Sequence, residues 1–451
     1  MLFEKQTLPI LDEALKKLEE GFSSLPGLSE HIDAGKIRSV LCDVAERLQD
    51  NYPYFHPMYA GQMLKPPHPV ARLAYMLALW INPNNHALDG GKASSVMEKE
   101  AVADLAEMFG WRAHLGHLCG GGTMANLEAL WISGQLHNDK LILASELAHY
   151  THERISKVLR LPFQKVKCAP DGTMDLDALE KLVSAGNVGT VVTTMGTTSL
   201  GSVDPLPEVV RLSKKYGFRV HADAAYGGYF ILADNLEKRT REKFESLSEV
   251  DSIVIDPHKH GLQPYGCGCV LFKDPAVSRY YSHSSPATYF TSSELHLGEI
   301  SLECSRPGAS AVALWATHRL FPLEKNGEFA RGLSKSRTAA VTLHDALSHD
   351  TRFFPILRPE LDIVAWAVKG RSIAETSKRT SRVFELSAQR NLHLAKLNYP
   401  VELLGEHWSS ISVDQPFVTC LRSCLMKEEH AEWVGDIFKT LSEVTDEVLR
   451  S

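Results

Sequence analysis

The chain has 451 residues, 44% of them apolar and 23% charged, the proportions of an ordinary folded protein and not of a disordered one. Its formal net charge of -7 comes without a long basic block, which argues against DNA or RNA as a partner. No apolar stretch reaches the roughly 20 residues that cross a bilayer, so neither a membrane span nor an apolar leader is expected.

Leu11, Leu15 and Leu18 recur at helical spacing, and Ile37, Val40, Leu41, Val44 and Leu48 repeat the pattern. Residues 1–91 therefore read as a helical arm that packs on a partner, followed by a loop. That loop, NYPYFHPMYAGQMLKPPHP at 51–69, is too rich in proline for regular structure.

From residue 92 amphipathic helices alternate with short apolar runs at 141–145, 190–195, 218–223, 252–256 and 269–274. Alternation of this kind predicts an α/β fold with a mostly parallel sheet over residues 92–330. Residues 331–451 read as a smaller C-terminal α+β domain, with strands near Asp362 to Val368 and Pro416 to Leu425. Eight cysteines without a CxxC pair read as reduced thiols of a cytoplasmic protein, and no histidine falls in a metal-binding pattern.

Ligands of open α/β sheets collect beyond the carboxyl ends of strands, and the polar residues after these runs are distinctive. Lys259 lies in DPHKHG just past one run. Asp223 lies in HADAAYGG at the end of another, beside small residues that leave room for a flat ring. A buried carboxylate needs a cationic partner, and a protonated ring nitrogen would be one. CGGGTMANLEALW at 119–131 places a glycine run before a helix, a pattern that lets backbone amides approach a phosphate. His149, in SELAHYTHERI, follows the run at 141–145, where an imidazole can stack on a ring.

These motifs, in this order and spacing, resemble the group II pyridoxal-phosphate amino-acid decarboxylases, which include aromatic amino acid, glutamate and tyrosine decarboxylases. The resemblance spans roughly residues 52–426. It implies the fold type I (aspartate aminotransferase-like) architecture, pyridoxal 5'-phosphate as cofactor, an amino-acid substrate and a homodimer. It also implies Lys259 as the Schiff-base lysine, Asp223 at the pyridinium nitrogen, Ala225 beneath the ring and His149 above it. Gly122, Thr123 and His258 would hold the phosphate on a loop shaped by Gly121, with Thr197 near the phenolic oxygen. The chain reads GGGT where many relatives carry a serine.

Arg422, in VTCLRSCLMK, resembles an arginine that holds the substrate carboxylate in some relatives, a role suited to a bidentate guanidinium. Tyr289, in HSSPATYFTSSELHLGE, matches the stretch that supplies a proton donor, with Tyr280 and Tyr281 as competitors. Tyr59 lies with Tyr54, Phe55, His56 and Met63 in the stretch matching the family's substrate pocket, which suits an aromatic side chain. Lys65 and His68 suit an acidic one.

The expected reaction is decarboxylation of an L-amino acid to its amine. The alternative is another pyridoxal-phosphate reaction on the same scaffold: an aldehyde synthase, a carbon-carbon lyase or a transaminase. A silent scaffold would betray itself by loss of Lys259 or Asp223, and both are present.

Overall fold

A computed structural model describes residues 3–27, 32–282 and 296–450. The larger sheet has seven strands: β1 (Leu115–Cys119), β2 (Leu141–Ser145), β3 (Phe163–Val166), β4 (Val188–Thr194), β5 (Arg219–Asp223), β6 (Ser252–Ile255) and β7 (Gly268–Phe272). Their spatial order is β1-β7-β6-β5-β4-β2-β3. Only β7 runs against its neighbours, so the carboxyl ends of β1, β2, β4, β5 and β6 share one edge.

The expected α/β architecture is the observed one. The apolar runs at 141–145, 190–195, 218–223, 252–256 and 269–274 correspond to β2, β4, β5, β6 and β7. Near-continuous apolar strands need cover on both faces of a sheet. Along β6, Ile253 and Ile255 enter one core while Val254 enters the other. The helix Leu206–Tyr216 stops at Gly217, whose φ of 75° lets the chain reverse into β5.

The second sheet has four antiparallel strands: β8 (Phe353–Pro355), β9 (Ile363–Val368), β10 (Ala395–Pro400) and β11 (Phe417–Cys424), in the order β10-β11-β9-β8. Trp366 of β9 anchors its core with Leu343, Val383 and Leu441 from the helices Glu328–His349, Ile373–Gln389 and His430–Arg450. The expected boundary at residue 331 falls inside the first of these helices, a 22-residue element that touches both β8 and β9.

Near the N-terminus, the helices Leu8–Glu20 and Ala34–Leu48 bury only Leu11 between them. Ile37, Val40, Leu41, Val44 and Leu48 are exposed in the single chain. The stretch after them straps the N-terminal part onto β11: Cys424 N–H donates to Ala60 O at 2.7 Å, and Lys427 Nζ to Tyr59 O at 2.7 Å. None of the helices among the described residues is long and apolar enough to cross a membrane.

Candidate active site

Loops from the shared edge of the larger sheet enclose a cavity of about 550 Å³. Lys259 enters it from the loop after β6. Its Nζ lies 3.1 Å from Oδ2 of Asp256, three residues earlier, and its side chain keeps 22% of its surface open. Asp256 is buried, and its Oδ1 has no partner among the described residues.

Across the cavity lies the glycine loop that follows β1. Gly121 has φ 142°, a conformation that L side chains rarely adopt, and a Cβ there would sit 3.1 Å from His258 Cε1. A Cβ on Gly122 would sit 2.7 Å from Asp256 Oδ2 and 3.3 Å from Ala225 Cβ. The helix Gly122–Leu136 then opens towards the cavity with its first amides free, an arrangement suited to an anion. His258 donates through Nδ1 to Cys267 O at 2.8 Å, and its Nε2, 3.5 Å from Asp256 Oδ2, is the nitrogen left for a ligand. Burial lowers its pKa, with the Asp256 carboxylate acting in the opposite direction.

Asp223 closes the cavity floor at the end of β5. Burial alone would raise its pKa. The hydrogen bond and charge of His152, 2.9 Å away, together with the Lys259 charge, hold the carboxyl well below the usual range. His149 lines the wall after β2. Its Nδ1 accepts from Thr151 N–H at 3.3 Å at the start of a helix, and burial lowers its pKa.

Of the residues singled out from the sequence, Lys259, Asp223, His149, Gly121, Gly122, Thr123, Ala225 and His258 all line this cavity. Thr197 does not: its hydroxyl accepts from Ser202 N–H at 3.1 Å, whereas Thr194, Gly196 and Thr198 around it do line the wall. Tyr59 packs on Tyr54 and carries its carbonyl to Lys427, also off the cavity wall of the single chain. Lys65 and His68 line a separate cavity of about 220 Å³ that also includes Lys427. Tyr289 lies outside the described residues. Its competitor Tyr281 is buried with its hydroxyl donated to Glu128 at 3.0 Å, and Tyr280 lies against Arg279.

Arg422 is buried yet has no carboxylate partner among the described residues. Its Nη1 donates to Thr198 O at 2.7 Å and its Nη2 to Gly61 O and Gln62 Oε1, while Nε is unpartnered among the described residues. The ordinary salt bridge that would explain such an arginine structurally is absent there.

Residues 127–369, more than half of the chain, match the model of the pyridoxal-dependent decarboxylase conserved domain. The chain belongs to this family. As a pyridoxal-dependent decarboxylase it uses pyridoxal phosphate and is an amino-acid decarboxylase, a carboxy-lyase. It is 30% identical over 311 residues to a probable L-tyrosine/L-aspartate decarboxylase of Methanothermobacter thermautotrophicus, covering 68% of this chain and 82% of that one. It is 27% identical over 439 residues to an L-tyrosine decarboxylase of Enterococcus faecium, covering 73% and 72%. In fold it is similar to mouse CSAD (TM-score 0.79, 18% identity, 94% and 91% covered). It is also similar to Oryza sativa TDC, solved with PLP and tryptamine (TM-score 0.76, 16% identity, 98% and 99% covered).

The residues of this decarboxylase fit its cofactor: a glycine loop that cannot take a Cβ at Gly121 or Gly122 without strain, a lysine open to the cavity and an anionic carboxylate at its floor. Sequence reading missed Asp256, His152 and Asn126, which hold Lys259 or Asp223 in place. Asp256 was within reach, since an acid three residues before a lysine in DPHK can fold back onto it. His152 reads as one more polar residue of a helix, and only the fold, which brings the start of that helix to the end of β5, gives it Asp223 as a partner.

Proposed function

We propose that the chain decarboxylates a free L-amino acid to its amine, with Lys259 carrying the cofactor. The observation that supports this most is the convergence of Lys259 and Asp223, from the ends of the adjacent strands β6 and β5, on a cavity shared with the glycine loop. When bound, pyridoxal phosphate supplies an electron sink for the pair left as carbon dioxide departs.

The chain's own residues supply the rest. Asp223, anionic at neutral pH, keeps the proton on the ring nitrogen. His149 and Ala225, both on the cavity wall, would cover the two faces of the ring. Gly121, Gly122, Thr123 and His258 would hold the phosphate, whereas Thr197, its hydroxyl engaged by Ser202 off the cavity wall, is not placed to meet the phenolic oxygen in this chain. Arg422, a buried cation without an anion among the described residues, would take the substrate carboxylate. Tyr289 gives the proton that replaces the lost carboxylate, and Tyr59 belongs to the substrate pocket. The names of the relatives support an aromatic or an acidic substrate, tyrosine or aspartate.

The exposed apolar face of the helix Ala34–Leu48 supports a homodimer, because five apolar side chains on one short helix are seldom left to water. Eight unpaired cysteines support a cytoplasmic location. We also read residues 1–91, 92–330 and 331–451 as arm, cofactor domain and small domain.

The deciding experiment is mass spectrometry of products after the holoenzyme meets L-tyrosine and L-aspartate separately, with light scattering for the dimer. An amine lighter than its substrate by carbon dioxide is the expected result. An aldehyde or keto acid from both would overturn decarboxylation to the amine and favour the other reactions of this scaffold.

A further inference from the structure

Asp223 accepts hydrogen bonds on both of its carboxylate oxygens. His152 Nε2 donates to its Oδ2 at 2.9 Å, and Asn126 Nδ2 donates to the same oxygen at 3.4 Å. Ala225 N–H donates to Oδ1 at 3.2 Å. The orientation of Asn126 is set in turn, because its Oδ1 lies 2.8 Å from His221 Nε2 and must accept there. His221 Nδ1 then accepts from the Ser252 hydroxyl at 2.8 Å, and burial keeps this ring neutral down to about pH 3. Every member of the chain Ser252, His221, Asn126, Asp223 is therefore oriented by the one before it.

A carboxylate offers about four acceptor positions, two on each oxygen. Among the described residues, Oδ2 has both filled by side chains, whereas Oδ1 has only the Ala225 amide. The free acceptor position is on Oδ1. His152 makes the shorter of the two bonds to Oδ2 and is itself fully buried, with its Nδ1 unpartnered among the described residues. A buried imidazole with an unpaired nitrogen carries a cost that leucine would not. Only the bond to Asp223 offsets that cost among the described residues.

We propose that His152 is the positioning residue of Asp223: it pins Oδ2 away from the ring and leaves Oδ1 as the acceptor that holds the proton on the cofactor's ring nitrogen. This rests on the role given to Asp223 above. His152 itself lies behind the carboxylate, outside the cavity wall.

The test uses holoenzymes of wild type, His152→Leu, His152→Gln, Asp223→Asn and the double variant that combines His152→Leu with Asp223→Asn. Two quantities are read besides turnover: cofactor affinity and the pH titration of the bound cofactor's absorbance. His152→Leu should weaken cofactor binding about tenfold, the scale of one hydrogen bond to a charged group. It should also displace the absorbance titration and lower kcat with KM for the amino acid unchanged. His152→Gln, which keeps a side-chain N–H, should recover most of this. In the double variant, His152→Leu should add nothing to the effect of Asp223→Asn. A folded His152→Leu enzyme with wild-type affinity and titration overturns the proposal, and so does a His152→Leu effect that is as large in the Asp223→Asn background as in wild type. If Asp223→Asn alone changes neither quantity, the role of Asp223 itself is wrong, and the proposal falls with it.

Discussion

Nζ of Lys259 stands 3.1 Å from Oδ2 of Asp256, and the carboxylate is far more deeply buried than the lysine. Removing the ammonium strands a buried charge, at a cost of about 1–3 kcal/mol. Lys259→Ala apoenzyme should therefore melt below wild type in calorimetry, while Lys259→Arg, which restores a cation, should melt close to it. Both variants should lose more than roughly a hundredfold in turnover. Neither should retain a borohydride-reducible link to the cofactor at this position.

Gly122→Ala should act on the cofactor more than on the fold. Its methyl would meet Asp256 Oδ2 at 2.7 Å, in the wall of the cavity and away from both main cores. Overpacking of this kind costs about 1–3 kcal/mol, and we expect it to appear as weaker cofactor affinity in a fluorescence titration. An unchanged affinity would place the phosphate elsewhere.

His258 gives its Nδ1 proton to Cys267 O, so Nε2 can donate to a phosphate only when the ring is charged. Burial lowers the His258 pKa below the ordinary 6.5, so the ring is neutral at pH 7 and would have to take up a proton to donate to a phosphate. Cofactor affinity should fall as pH rises, by up to about tenfold per unit. In His258→Gln that part of the dependence should vanish, as parallel titrations between pH 6 and 8 would reveal.

Arg422→Met removes a buried cation that, among the described residues, meets only carbonyl and amide oxygens. The expected result is a KM for the amino acid raised by at least roughly tenfold, with cofactor affinity unchanged. Steady-state kinetics beside a cofactor titration separates the two.

His430 accepts from Lys427 N–H on Nδ1 and donates from Nε2 to Pro57 O, which fixes the neutral ring. Burial, then the Lys427 charge, takes its pKa down to about 3 from the ordinary 6.5. The unfolded chain binds the proton that the folded one refuses, so stability is lost as pH falls from 6.5 towards 3. By pH 5 the loss is about 2 kcal/mol. His430→Gln keeps the bonding capacity without the titration, so melting curves at pH 7 and pH 5 should lie closer together for it than for wild type.

Much of this was legible in the sequence because each chemical motif follows an apolar run. Val254 and Ile255 mark β6, and DPHK comes directly after. β1 escaped notice because Gly116 and His117 interrupt its apolar run, and His117 finds its side-chain partner in Glu128 from the next helix. Thr197 and Thr198 cannot be ranked by pattern, since the twist of the backbone after β4 decides which one faces the cavity. The partners of Asp223 were illegible for another reason: Asn126 and His152 come from two helices far from it in the chain.

The reversed strand β7 has a consequence for the order of assembly. β1, which delivers the glycine loop, borders no other strand of its sheet, and its pairing runs from Leu115↔Phe272 to Cys119↔Gly268. A nascent chain still short of β7 can pair β2, β4, β5 and β6 but has nowhere to seat β1. The phosphate cradle is thus among the last parts of the larger sheet to close, and cofactor capture during synthesis must wait until β7, which follows Lys259 in the chain, has left the ribosome.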